Sequence, residues 1–92
     1  MKIIYRQHAI KRMHERGISE EEIEQAIASG AVIENYPNDT PFASALLLGM
    51  AGTRAIHVVF ADDVQDDIRI IITVYVPDCT IWNEDLKTRR QT

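Results

Sequence analysis

Apolar residues recur with a period of about 3.6 over residues 8–29 and with a period near 2 from residue 31 onward, so the chain passes from helical to strand patterning. The helical part is the more legible. Residues 8–22 read HAIKRMHERGISEEE. At about 100° per residue, Ala9, Ile10 and Met13 gather on one side, while His8, Arg12 and Arg16 step along the flank at i, i+4 and i+8. Gly17 suits the left-handed residue that ends a helix, with Ile18 packing back on the last turn. Ser19 then caps a second helix and Glu22 completes a capping box, with Ile18 and Ile23 placed as a hydrophobic staple. The pattern predicts helices over residues 6–16 and 20–29, the second stopped by Gly30. Residues 2–5 read equally as an edge strand or as the lead-in to the first helix.

The strand part has the punctuation of hairpins. Strands are expected at residues 31–36, 42–50, 54–61 and 68–76, with turns at 37–41, 51–53 and 62–67. Short connections make these a four-stranded antiparallel meander. Alternation assigns Ile56, Val58 and Phe60, and then Ile68, Ile70, Ile72, Val74 and Val76, to the face under the helices. His57, Arg69, Thr73 and Tyr75 fall on the opposite face, with His57 within a residue or two of Thr73. Pro77 ends the last strand, and Thr80 is placed to cap a brief helix through Leu86. The expected architecture is α+β: one domain over residues 1–92, with two N-terminal helices on one face of a four-stranded antiparallel sheet and a short C-terminal helix or tail.

Composition narrows the function. The chain has 92 residues, 46% hydrophobic and 26% charged, which fits one folded core. It contains no run of eighteen apolar residues and no secretory leader pattern, so a cytoplasmic location is expected. The lone Cys79 has no partner for a disulfide or a zinc site. A formal charge of -4 argues against non-specific coating of nucleic acid. The charge is segregated, however. Lys2, Arg6, Lys11, Arg12 and Arg16 crowd the first sixteen residues, and Lys87, Arg89 and Arg90 mark the tail. Acid collects at Glu20, Glu21, Glu22 and Glu24, and at Asp62, Asp63, Asp66 and Asp67. The helix dipole accounts for the glutamates. A basic patch on an acidic body suits a local phosphate site.

Several chemistries lack their residues. His8 and His14 are rotated by about 240° from each other on a helix and cannot share an ion. No paired cysteines, HExxH spacing, nucleophile elbow or glycine-rich phosphate loop is present, and no cofactor is expected. The remaining His, Arg, Tyr and Thr side chains fit metal-independent RNA cleavage. That reaction needs a base for the 2'-hydroxyl, an acid for the leaving 5'-oxygen, and cations for charge gathering on phosphorus. His8 and His57 are the candidate acid and base, Arg12 and Arg16 the phosphate clamps, and Tyr75 a hydrogen-bond donor or auxiliary acid, with Thr73 beside it. Lys11, Arg69, Lys87, Arg89 and Arg90 are candidate RNA contacts. The rival reading is a non-catalytic binding module that docks an acidic protein through the basic first helix; a third is a small metabolic enzyme using the same polar face. Trp82 and Tyr36 suit either base stacking or anchoring of the chain end.

The stretch HAIKRMHERGISEEEIEQAI, the later IHVVF, and IITVYVPD followed by Trp82 and the basic tail resemble the domain of unknown function 4258 family over nearly the whole chain. That resemblance implies similarity to RelE-like toxins within the wider barnase and colicin-like ribonuclease fold. It implies a cognate antitoxin as partner, often of zinc-finger type, beside RNA and a possible homodimer. By the same resemblance His8 and Arg12 on the first helix, and Thr73 and Tyr75 on the last strand, are the active positions, with Arg16 an alternative anchor of the helix joint.

Overall fold

The structure, a computed structural model, describes residues 1–78, 81–83 and 85–89. Its elements run β1 (Lys2–Tyr5), α1 (Gln7–Arg16), α2 (Glu20–Ser29), β2 (Ala31–Tyr36), β3 (Ser44–Ala51), β4 (Arg54–Asp63) and β5 (Ile68–Tyr75). The joint between the helices follows the local chemistry of its sequence. Gly17 takes a left-handed conformation (φ 61°, ψ 42°) and the Ile18 amide donates to the Met13 carbonyl at 2.9 Å. The Ser19 hydroxyl accepts from the Glu22 amide and the Glu22 carboxylate accepts from the Ser19 amide, each at 3.1 Å. Arg54, at the start of β4, seals the joint with bonds to the Gly17 carbonyl (3.1 Å) and the Glu22 carboxylate (2.6 Å).

The sheet is five-stranded and mixed, in the order β1-β5-β4-β3-β2. The expectation of four antiparallel strands is therefore corrected. β2 to β5 do form an antiparallel meander, but β1 joins it as a parallel neighbour of β5, from Lys2 opposite Ile68 to Tyr5 opposite Ile71. A four-residue segment carries too little periodicity to declare itself, and its partner lies more than sixty residues away. α1 packs on β5, and α2 on β3 and β4. Where α2 crosses β3, a Cβ on Gly49 would collide with the backbone of Ala26, so the helix seats directly on the strand.

A second correction concerns the faces of β5. His57 pairs with Tyr75, Val58 with Val74 and Val59 with Thr73, but Phe60 pairs with Ile71, leaving Ile72 as a bulge residue. One extra residue reverses the alternation. Ile71 and Val74 enter the core beneath the helices with Ile18, Ile23, Ile56, Val58 and Phe60. Ile70 instead pairs with Ala61 on the opposite face. Arg69 moves to the helix side, opposite Asp62, with its guanidinium 4.5 Å from the centre of the Phe60 ring.

The face away from the helices is covered by the chain's own C-terminal segment. Trp82 is only 2% exposed and forms a bridge with Arg89. Among the described residues of this segment there is no helix; Thr80, the expected cap, lies outside them, as do Cys79 and Arg90. Among the described residues no helix is long and apolar enough to cross a membrane.

Candidate functional site

β1 stops at Tyr5, opposite Ile71, so the rest of β5 has no strand on that side. The space left there is a groove of ≈ 390 Å³, lined by Arg12 and Arg16 from α1, Thr73 and Tyr75 from β5, and Val76, Asp78, Ile81 and Trp82 from the segment that follows. Each wall has a local cause. Four-residue spacing puts both arginines on one flank of α1. Two-residue spacing puts Thr73 and Tyr75 on one side of β5. Pro77 is buried, and the Asp78 carbonyl accepts from the amides of Ile81 (3.0 Å) and Trp82 (2.9 Å).

The groove combines fixed positive charge with hydroxyl donors. Arg12 also reaches the Glu15 carboxylate at 3.2 Å, an exposed pair that leaves its other guanidinium nitrogens for a ligand. Burial pushes the Tyr75 phenol up from its ordinary value, so it stays protonated and can donate. Such a set suits a phosphodiester, whose oxygens accept forked bonds from arginine. A larger depression of ≈ 450 Å³ lies at the helix joint, lined by Ile10, Met13, His14, Gly17, Ile18, Ser19 and Glu20. It has no arginine and is mainly apolar, so size does not follow chemistry here. Among the described residues, no three His, Cys, Asp or Glu side chains are grouped to hold a metal ion.

Four of the expected site residues, Arg12, Arg16, Thr73 and Tyr75, thus meet in one groove. His57 does not face it. It is fully buried, edge-on to Tyr75 (5.2 Å between ring centres) and to Trp82 (4.5 Å). Its Nε2 donates to the Leu86 carbonyl at 2.7 Å, and its Nδ1 is buried without a partner. Burial lowers its pKa below the ordinary histidine value, only partly offset by the Leu86 bond. A neutral imidazole sealed behind the groove wall holds the C-terminal segment down. The polar outer face expected from alternation is in this region an interior. His8 is exposed on α1 and is not among the groove-lining residues.

The remaining basic residues have separate places. Lys11 is exposed, 3.9 Å from Glu15. Arg69 makes two bonds to Asp62, at 2.7 and 2.9 Å, which hold its guanidinium charged. Lys87 is exposed on the C-terminal segment. Arg89 lies 4.6 Å over the Trp82 ring and bonds both oxygens of Glu34, at 3.1 and 3.2 Å. Burial works against charge on Glu34, but bonds from Tyr36 and Arg89 hold its carboxyl below the ordinary range. Tyr36 donates to Glu34 at 2.6 Å, the carboxylate that also holds Arg89. Asp78 was missed by the sequence reading. The signal available was its place directly after the strand-ending Pro77, close beyond Thr73 and Tyr75.

No curated protein and no solved structure matches the chain. One family model does, over residues 5–76, which takes in α1, the helix joint and the whole sheet from Tyr5 of β1 to β5. By that match the chain belongs to the family described as a domain of unknown function, DUF4258.

Proposed function

We propose that this protein is a metal-independent endoribonuclease and the toxin half of a toxin and antitoxin pair, with the groove between α1 and the open edge of β5 as its RNA site. The observation that carries the reading is the convergence of Arg12 and Arg16 with Thr73 and Tyr75 in that one groove. In this reading the arginine forks bind the scissile phosphate and offset the charge gathering on its oxygens as the 2'-hydroxyl attacks. Thr73 orients a phosphate oxygen, and Tyr75 donates toward the leaving 5'-oxygen. His57 has no proton-transfer role; through Trp82 it shapes the wall. Placement in the RelE-like, barnase and colicin-like fold group is part of the same proposal and rests on the resemblance of the α1 motif. The antitoxin is proposed to act by covering the basic flank of α1.

The test is induction in a bacterial host, with total RNA examined for new ends. Growth arrest with fragments that disappear in Arg12→Ala is the expected result. A folded wild-type protein that leaves growth and RNA intact overturns it. Tolerance of Arg12→Lys in a binding assay would then favour a module that docks an acidic protein partner, which needs the charge but not the guanidinium geometry.

A further inference from the structure

We propose that Asp78 is the general base of the groove, taking the proton from the attacking 2'-hydroxyl. The inference rests on the ribonuclease reading and deepens it. Of the side chains lining the groove, arginine is protonated throughout the physiological range, tryptophan is a donor only, and threonine and tyrosine hold their protons at neutral pH. Among the described lining residues, Asp78 is the one with a carboxyl group. It lines the same groove as the two arginines that would hold the phosphate, and a base for the adjacent 2'-hydroxyl must come from within that groove.

The backbone fixes Asp78 in place. Buried Pro77 precedes it, and its carbonyl accepts from the amides of Ile81 and Trp82. Trp82 in turn lies edge-on against His57. His57 is therefore a positioning residue, acting on the base through Trp82 and the turn. In the step itself, the Asp78 carboxylate removes the 2'-hydroxyl proton while the 2'-oxygen forms its bond to phosphorus. The bond from phosphorus to the 5'-oxygen breaks with its electron pair on that oxygen, and the Tyr75 hydroxyl protonates it. The products are a 2',3'-cyclic phosphate and a 5'-hydroxyl. Water then reprotonates Tyr75 and Asp78 releases its proton to solvent, so none is consumed overall.

The test is cleavage of a short synthetic RNA by purified wild type, Asp78→Asn, Asp78→Glu and His8→Ala, with kcat and KM followed from about pH 4 to about pH 8. Asp78→Asn is expected to lower kcat by about 10²- to 10⁴-fold with KM nearly unchanged, as loss of a general base does. Asp78→Glu is expected to recover part of it. The wild-type profile should fall on the acid side, in the carboxylate range and well below that of histidine. A fall near about 6.5 that vanishes in His8→Ala assigns the base to His8 and overturns the proposal. Full activity of Asp78→Asn also overturns it while leaving the ribonuclease reading intact. An inactive but folded wild type removes both. Circular dichroism checks the fold of each variant, and if Asp78→Asn does not fold, the wild-type pH profile still decides.

Discussion

Residues 68–71 and 73–75 belong to one strand and share one antiparallel neighbour, yet they do different work. The first stretch lies between β1 and β4 and has strands on both sides. The second has β4 on one side and the groove on the other. Between them the Ile72 bulge resets which side chains point to which face. The comparison shows how a small sheet makes a site without giving up rigidity. The side chains that line the groove hang from a strand whose backbone is paired on both sides just before it. An open strand edge invites pairing with other chains; here two arginines and Pro77 border it.

The largest expected effect tests the first stretch. Ile71 is fully buried in the core, so Ile71→Ala should lower unfolding free energy by about 2–5 kcal/mol in urea denaturation. RNA cleavage per folded molecule should be unchanged, which separates the two halves of the strand. Next, Arg12→Ala should reverse that pattern. Cleavage should fall about 10²-fold, or about 2.7 kcal/mol of barrier, with stability within about 0.5 kcal/mol because its ion pair to Glu15 is exposed.

A smaller effect concerns the cover behind the second stretch. The folded-state pKa of His57 lies below its ordinary value, so its neutral form contributes stability above about pH 6.5. As pH falls from there, the unfolded chain takes up a proton that the folded one refuses, and stability declines toward the folded-state value. Thermal midpoints of wild type should therefore drop between about pH 7 and about pH 5 more than those of His57→Phe. An equal drop in both proteins would mean that His57 does not titrate in that window. The smallest effect is that of Arg89→Ala. Its pair with Glu34 is half exposed, and loss of the pair should cost under about 1 kcal/mol.

The sequence was most readable where structure is local. Helix limits, the left-handed Gly17, the Ser19 and Glu22 capping box and the β2 to β5 hairpins follow from neighbouring residues. Two features escaped because their causes are distant or single. The parallel pairing of β1 depends on β5, and one bulge residue reversed the facing of Ile70 and Arg69. For the site, helical spacing put Arg12 and Arg16 on one flank and strand alternation put Thr73 and Tyr75 on one face, but only the family resemblance joined the two pairs, which line one groove. Alternation put His57 on the face it takes, opposite Tyr75, but it states which face a residue takes and not what later covers it. Asp78 belongs to no periodic element, so no pattern pointed to it.

The pairing of β1 with β5 has a consequence for synthesis. Of the five described strands β1 leaves the ribosome first, but the strand it pairs with, β5, is the last of the five to be made. Local pieces, such as the helix pair and the successive hairpins, can form as they emerge, whereas this closing contact waits until about residue 71 has been translated. The groove needs still more, since one of its walls comes from Val76, Asp78, Ile81 and Trp82. A chain made only as far as β4 therefore holds the arginines of α1 without the surface opposite them, and the complete groove exists only once residue 82 has been made.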